Sequence, residues 1–187
     1  MTEAIIFDFF GVICPDLHEV WTRKHHIKNT SALYEEIGKN VDLGLAPEDD
    51  YIRSLSIKTG IPSGLIRKEL DEEIVINKEI INIIRELRKK YKIGLLSDAS
   101  ASLLDRVLKE NHIREYFDSL AVSSEIGYTK PDPENYWFIL NTLRVKPEKA
   151  VFIDDSPSNV RGAENIGMKA FLYKDEASLR KQLAAFL

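Results

Sequence analysis

The run Ala4-Ile5-Ile6-Phe7-Asp8-Phe9-Phe10-Gly11-Val12-Ile13 constrains this chain most. Large branched and aromatic residues lead without alternation into a single carboxylate and then pass through a glycine. An ionised acid among such neighbours is costly unless something compensates it. A continuous apolar run without period-two alternation is the mark of a strand covered on both faces, over about Ala4–Phe9. Asp8 is tolerable where that strand leaves the sheet for a cleft, and it is read as a reactive centre. Read alone, the same stretch is also a strand ending in a turn-forming Asp. Gly11 permits a turn that a side chain would obstruct.

Three more apolar runs end the same way. Ile93-Gly94-Leu95-Leu96 stops at Ser97-Asp98, Leu120-Ala121-Val122 runs into the loop Ser123 to Pro133, which carries Lys130, and Ala150-Val151-Phe152-Ile153 stops at Asp154-Asp155. Met168 to Tyr173 reads as a fifth strand. Helical patterns separate them. Asn77 caps a helix with its stripe at Ile80, Ile83, Ile84 and Leu87, and Ser100 caps one with Leu103, Leu104, Val107 and Leu108. Asp132-Pro133 starts a helix carrying Ile139, Leu140 and Leu143, and Ser156-Pro157 starts one that Gly167 ends. Leu179, Leu183 and Leu187 mark a last helix. Strands alternating with helices predict an α/β fold, a Rossmann-like parallel sheet core with helices on both faces.

Residues 15–76 break the alternation. Val20 to His26, Ala32 to Val41, Asp49 to Lys58 and Leu65 to Ile74 have helical spacing, with turns at Leu43-Gly44-Leu45-Ala46 and Gly60-Ile61-Pro62-Ser63-Gly64. The expected division is a core of residues 1–14 and 77–187 with a helical insert at 15–76. There is no internal repeat and no low-complexity tract.

In a parallel sheet of this kind the crevice lies beyond the carboxyl ends of the strands. Asp8, Ser97 with Asp98, Lys130 and Asp154-Asp155 would therefore meet at one edge. Singly, Ser97 could be a helix cap, Lys130 a solvated loop lysine and Asp154-Asp155 a turn; their recurrence at successive strand exits argues for a site. Gathered carboxylates repel one another, a divalent cation removes the conflict, and an all-oxygen set suits Mg2+. A hydroxyl before a helix N-terminus suits an anion. A carboxylate nucleophile, a cation, a lysine and a hydroxyl describe phosphoryl transfer to aspartate.

Composition narrows the alternatives. With 26 basic against 30 acidic residues and a net charge of −4 there is no broad basic face for nucleic acid. No run approaches the ~20 apolar residues of a spanning helix. One cysteine, Cys14, excludes an intrachain disulfide framework. No signal-peptide pattern precedes the first strand, so a cytoplasmic location without membrane association is expected. Cys14 reads as a buried small apolar residue, Trp21 and Trp137 as packing residues, and Arg23-Lys24-His25-His26-Ile27-Lys28 as a solvated helix face or a lure for an anionic substrate. Tyr51 and Arg53 are further candidates for substrate contact.

The motifs resemble those of the haloacid dehalogenase-like (HAD) superfamily of hydrolases across nearly the whole chain: Ile5 to Val12, Leu95-Leu96-Ser97, the loop Ser123 to Pro133, and Val151 to Asp155 followed by Asn159, Gly162, Ala163 and Gly167-Met168. The resemblance implies that Asp8 is the nucleophile and forms an aspartyl intermediate. It implies that Ser97, Asp98 and Lys130 lie at the substrate, that Asp8, Asp155 and the carbonyl of Phe10 bind Mg2+, and that Asp154 orients Lys130 or a metal-bound water. The insert corresponds to the family's small cap. The expected activity is magnesium-dependent hydrolysis of a small phosphorylated metabolite, such as a sugar phosphate.

Two positions depart from that pattern. Phosphatases of this family usually carry a second aspartate, a general acid and base, two residues after the nucleophile; here it is Phe10. An aromatic residue there is usual in 2-haloacid dehalogenases, which need no metal and resemble a Ser-x-Asn pattern where this chain has Asp154-Asp155. Loss of catalysis with retained phosphate-ligand binding is a third reading. Asp98 stands where the family often has asparagine, and an acid there would repel an anion unless it points away or pairs.

Overall fold

The computed structural model describes residues 1–28 and 30–186. Five strands, β1 (Ala4–Phe7), β2 (Lys92–Ser97), β3 (Ser119–Val122), β4 (Ala150–Asp154) and β5 (Lys169–Leu172), form one sheet in the order β3-β2-β1-β4-β5. All four pairings are parallel. The chain winds outward from β1 through β2 to β3, then returns to β4 on the other side of β1. The winding direction therefore reverses beside β1, the place where an open α/β sheet forms its crevice.

The first strand shows why its sequence has no alternation. Ile5 and Phe7 pack into one apolar cluster, Ala4 and Ile6 into another, and none of the four is exposed. The first cluster takes Ile80, Ile83 and Ile84 of helix Lys78–Leu87, Leu104, Val107 and Leu108 of helix Ala101–Glu110, and Leu179 and Leu183 of helix Glu176–Phe186. The second takes Tyr136, Ile139, Leu140 and Leu143 of helix Pro133–Leu143 and Ala163 of helix Pro157–Asn165. Both faces of the sheet are thus covered, as the apolar runs predict. Leu187 lies outside the described residues.

The N-caps predicted from sequence are in place. The Asn77 side chain accepts the amides of Glu79 and Ile80, Ser100 accepts that of Leu103, and Asp132 accepts that of Glu134. Gly167, at φ +92°, follows the last turn of Pro157–Asn165. Helix and strand ends shift by a few residues from those expected: helix Leu17–Lys24 starts ahead of Val20 because the Asp16 side chain caps it by accepting the Glu19 amide. The stretch after β3, expected as loop throughout, begins with a short helix, Ser123–Ile126.

Between β1 and Lys78–Leu87 the chain forms helices Leu17–Lys24, Thr30–Leu33, Lys39–Asp42, Glu48–Thr59 and Ser63–Glu72. Residues Tyr34–Gly38, expected as ordinary α-helix, form a π-turn instead. Trp21, Ile52, Leu55 and Ile66 make a third apolar cluster, separate from the two that line the sheet. Trp21 is fully buried, as expected, with its indole N–H donating to Glu69 at 2.9 Å. Trp137 is not a core residue. It is 42% exposed, on the outer side of the helix whose Tyr136 and Leu140 face the sheet. Cys14 is buried, and burial pushes its thiol up to about 12, so it packs as a small apolar group and not as a thiolate.

Candidate active site

A cleft of about 780 Å3 lies between the strand ends and the inserted helices, lined by Asp8, Phe10, Asp98, Lys130 and Asp155 from the sheet side. Each is there for a local reason. Asp8 follows the last residue of β1, and its amide still donates to the Ile153 carbonyl at 2.9 Å, so its backbone remains tied to β4. Gly11 has φ +88°, and a Cβ on it would overlap the Asp155 carboxylate. Glycine is therefore required twice here, by the turn and by the close approach of a second strand's acid.

Lys130 is the centre of the arrangement. Its side chain is 2% exposed, and its Nζ lies 2.7 Å from Asp8 Oδ1 and 2.8 Å from Asp154 Oδ2. Burial alone would lower its pKa, but the charges of Asp154, Asp8 and Asp98 outweigh that and raise it well above the ordinary value. Asp154 is fixed from other directions as well: Oδ1 accepts the Ser156 amide at 2.8 Å, and Asn159 Nδ2 donates to both of its oxygens. The Asn159 carbonyl in turn accepts the Tyr136 hydroxyl at 2.9 Å. A Cβ at Gly162 would crowd Pro131 and that same hydroxyl, so this helix can approach the Lys130 loop only with glycine there.

Asp98 does not confront a ligand unpaired. Both of its oxygens accept the backbone N–H of Lys130, at 3.0 and 3.1 Å. The acid pins the lysine loop to the end of β2. Burial still holds its carboxyl up at about 6 against the opposing charge of Lys130. The same loop is braced by two hydroxyls that carry no role in the sequence reading. Ser123 Oγ accepts the Ala99 amide at 3.0 Å, and Ser124 Oγ accepts the Ala101 amide at 2.9 Å.

Ser97 sits at the end of β2, fully buried, with its hydroxyl lacking a partner among the described residues. It does not line the cleft directly. Asp8, Asp154 and Asp155 bring one carboxylate oxygen each to within 4.8 Å of one another. Burial, then the Asp154 charge, push the Asp8 carboxyl well above the usual range, with Lys130 opposing. Asp155, more open, is held up at about 6 by burial and by Asp154. One ammonium does not balance this set. Clustered hard oxygen ligands with an excess of negative charge fit a divalent cation of the magnesium type.

From the insert, His18, Tyr34, Asp42 and Tyr51 line the opposite wall. His18 Nδ1 lies 2.6 Å from Tyr51 Oη, and the Tyr34 hydroxyl donates to Asp42. Of these four, only Tyr51 is legible as a candidate in the sequence. The basic stretch turns elsewhere: Arg23 pairs with Glu19, and Lys24 and His25 pair with Glu69. Arg53 pairs with Asp50 outside the cleft.

A doubly wound sheet whose reversal point carries a carboxylate bridged by lysine to a second acid defines the class, a hydrolase of α/β architecture with an acidic site at the strand ends. The chain belongs to the haloacid dehalogenase-like hydrolase family, whose sequence model matches residues 2–167. It is 28% identical to the D-ribitol-5-phosphate phosphatase of Bacteroides thetaiotaomicron over 100% of this chain and 99% of that one. It is 41% identical over 71 residues to bifunctional epoxide hydrolase 2 of Rattus norvegicus, a match covering 38% of this chain but only 13% of that protein. Among solved structures, a HAD-family enzyme from B. thetaiotaomicron in complex with magnesium and inorganic phosphate superposes with a TM-score of 0.77 at 21% identity, over 96% of this chain and 99% of that one.

Proposed function

We propose that the protein is a magnesium-dependent phosphatase of small phosphate monoesters, sugar phosphates among them, working through an aspartyl-phosphate on Asp8. The observation that carries this reading is the Lys130 bridge between Asp8 and Asp154, with Asp155 alongside. Asp8 Oδ1 is held by Lys130 and by the Phe9 amide at 2.7 Å, so Oδ2 is the oxygen assigned to attack phosphorus. The P–O bond to the leaving group breaks as the Asp8–phosphorus bond forms, and water then cleaves the aspartyl-phosphate. Lys130 neutralises charge on the transferring group, and the buried Ser97 hydroxyl is the donor assigned to one of its oxygens. Asp8 and Asp155, with the Phe10 carbonyl, are the ligands assigned to the cation, which when bound supplies charge neutralisation at the phosphoryl oxygens. The helical insert at 15–76 acts as the cap that encloses the substrate and excludes bulk water. The full-length relationship to a ribitol-phosphate phosphatase supports the substrate class.

Phe10 favours one rival, a 2-haloacid dehalogenase in which Asp8 attacks carbon and the departing halide needs no proton. The gathered Asp8, Asp154 and Asp155 weigh against it, since a metal-free cleft would leave them undercompensated. A panel of phosphorylated metabolites, assayed with and without magnesium and with Asp8→Asn as control, tests the proposal. Turnover that needs both the metal and Asp8 is expected. Halide release from a 2-chloroacid without magnesium would favour the rival, and binding of a phosphate analogue without any turnover would overturn both.

A further inference from the structure

The site lacks an acid at position 10, yet an alkyl phosphate needs a proton on its departing oxygen. We propose that Asp42, positioned by Tyr34, supplies that proton from the insert side of the cleft; the inference rests on the phosphatase reading above.

Three features set Asp42 apart. It lines the same cleft as Asp8, Phe10 and Lys130. It follows the π-turn Tyr34–Gly38, a rare geometry that recurs at functional sites. A Cβ on Gly38 would run into the Tyr34 ring, so glycine lets that ring lie across the helix, with its hydroxyl donating to Asp42 Oδ2. The segment is also moored to the core. A Cβ on Gly44, at φ +72°, would overlap the Ser124 carbonyl, and Ser124 braces the backbone at Ala101, just beyond the end of β2. Asp42 is therefore held at a fixed place relative to the strand ends and does not ride on a loose loop.

The carboxyl is suited to the task. Burial raises its pKa, the Tyr34 hydroxyl lowers it, Asp98 and Asp16 raise it and Lys130 lowers it, leaving it at about 7, so a proton is available at neutral pH. In the first step Asp8 bonds to phosphorus, the electron pair of the breaking P–O bond goes to the leaving oxygen, and that oxygen takes the Asp42 proton. In the second, water attacks the aspartyl-phosphate and gives its proton to the Asp42 carboxylate. Asp8 is released as carboxylate, phosphate departs, and both acids return to their starting states.

The test is leaving-group dependence. From D-ribitol 5-phosphate the leaving group is a poor alkoxide, from 4-nitrophenyl phosphate a phenolate that needs little help. Asp42→Asn is expected to lower kcat on the alkyl ester by about 10²-fold, and by at least about tenfold more than on the aryl ester. Tyr34→Phe, a milder change, is expected to give a smaller loss of the same pattern. Residual aryl turnover shows that each variant is folded. Equal losses on both esters, or the alkyl-selective loss appearing in His18→Gln instead, would overturn the assignment. So would a wild-type enzyme that hydrolyses the aryl ester and no alkyl phosphate, the behaviour of a site without an acid. Absence of any Asp8-dependent turnover would overturn the phosphatase reading as well, and is distinguished by the wild-type control.

Discussion

Lys130 holds together charges that would otherwise repel. Removing one partner of a buried ion pair typically costs about 3–5 kcal/mol, because the remaining charge stays buried and unpaired. Lys130→Met keeps length and apolar volume while deleting the ammonium that meets Asp8 and Asp154. Urea unfolding of this variant should show a loss in that range; a loss below about 1 kcal/mol would mean that the acids are already neutral in the wild type. Asp98→Asn should behave differently. An asparagine carbonyl can still accept the Lys130 amide, so stability should change by less than about 1 kcal/mol. Removing a negative charge beside the cleft should lower KM for an anionic ester by a few-fold, an effect of about 1 kcal/mol at partly screened distances. Steady-state kinetics on one phosphate ester would decide it. The sequence makes Asp98 an awkward residue because sequence does not reveal pairing. Its partner is a backbone amide 32 positions away, invisible to any spacing rule. Asp8 was legible for the opposite reason: a lone acid at the end of a wholly apolar strand is a local anomaly.

Among the elements, those that build the sheet were readable because burial on both faces leaves an unbroken apolar signature, and their helices because caps and stripes coincide. Asn77 illustrates this. It caps helix Lys78–Leu87, and its amide nitrogen also donates to Glu176 at 2.6 Å, joining the return from the insert to the last helix. Asn77→Ala should cost about 0.5–2 kcal/mol in thermal or urea unfolding while leaving kcat within about twofold, since Asn77 does not line the cleft. A fall in kcat well beyond twofold would show that the junction also sets the placement of the inserted helices. The π-turn at Tyr34–Gly38 was not readable. Nothing in Tyr-Glu-Glu-Ile-Gly distinguishes a widened turn from an α-helix; the packing of the ring over Gly38 decides it. Trp137 failed as a core residue because an aromatic in a helix next to core positions looks the same whichever way it points.

In the molecule as a whole, the acids couple stability to pH. Asp98 and Asp42 have carboxyls raised to about 6 and about 7 from an ordinary 3.8. A raised carboxyl means that the native state binds more protons than the unfolded chain. Their contribution is fully present below about pH 4 and is lost as pH climbs through 6 to 7. A divalent cation acts in the other direction, because its ligands must be ionised. The rise in Tm on adding magnesium should therefore be larger near about pH 7.5 than near about pH 5. Equal shifts at both would argue that the cation does not bind the acid cluster. None of the helices among the described residues is long and apolar enough to cross a membrane. The chain carries two kinds of apolar centre: the pair around the sheet and the separate one around Trp21. Each wall of the cleft thus rests on its own foundation. Substitutions within the cluster around Trp21 should therefore loosen the insert wall while leaving the sheet and the Lys130 bridge intact.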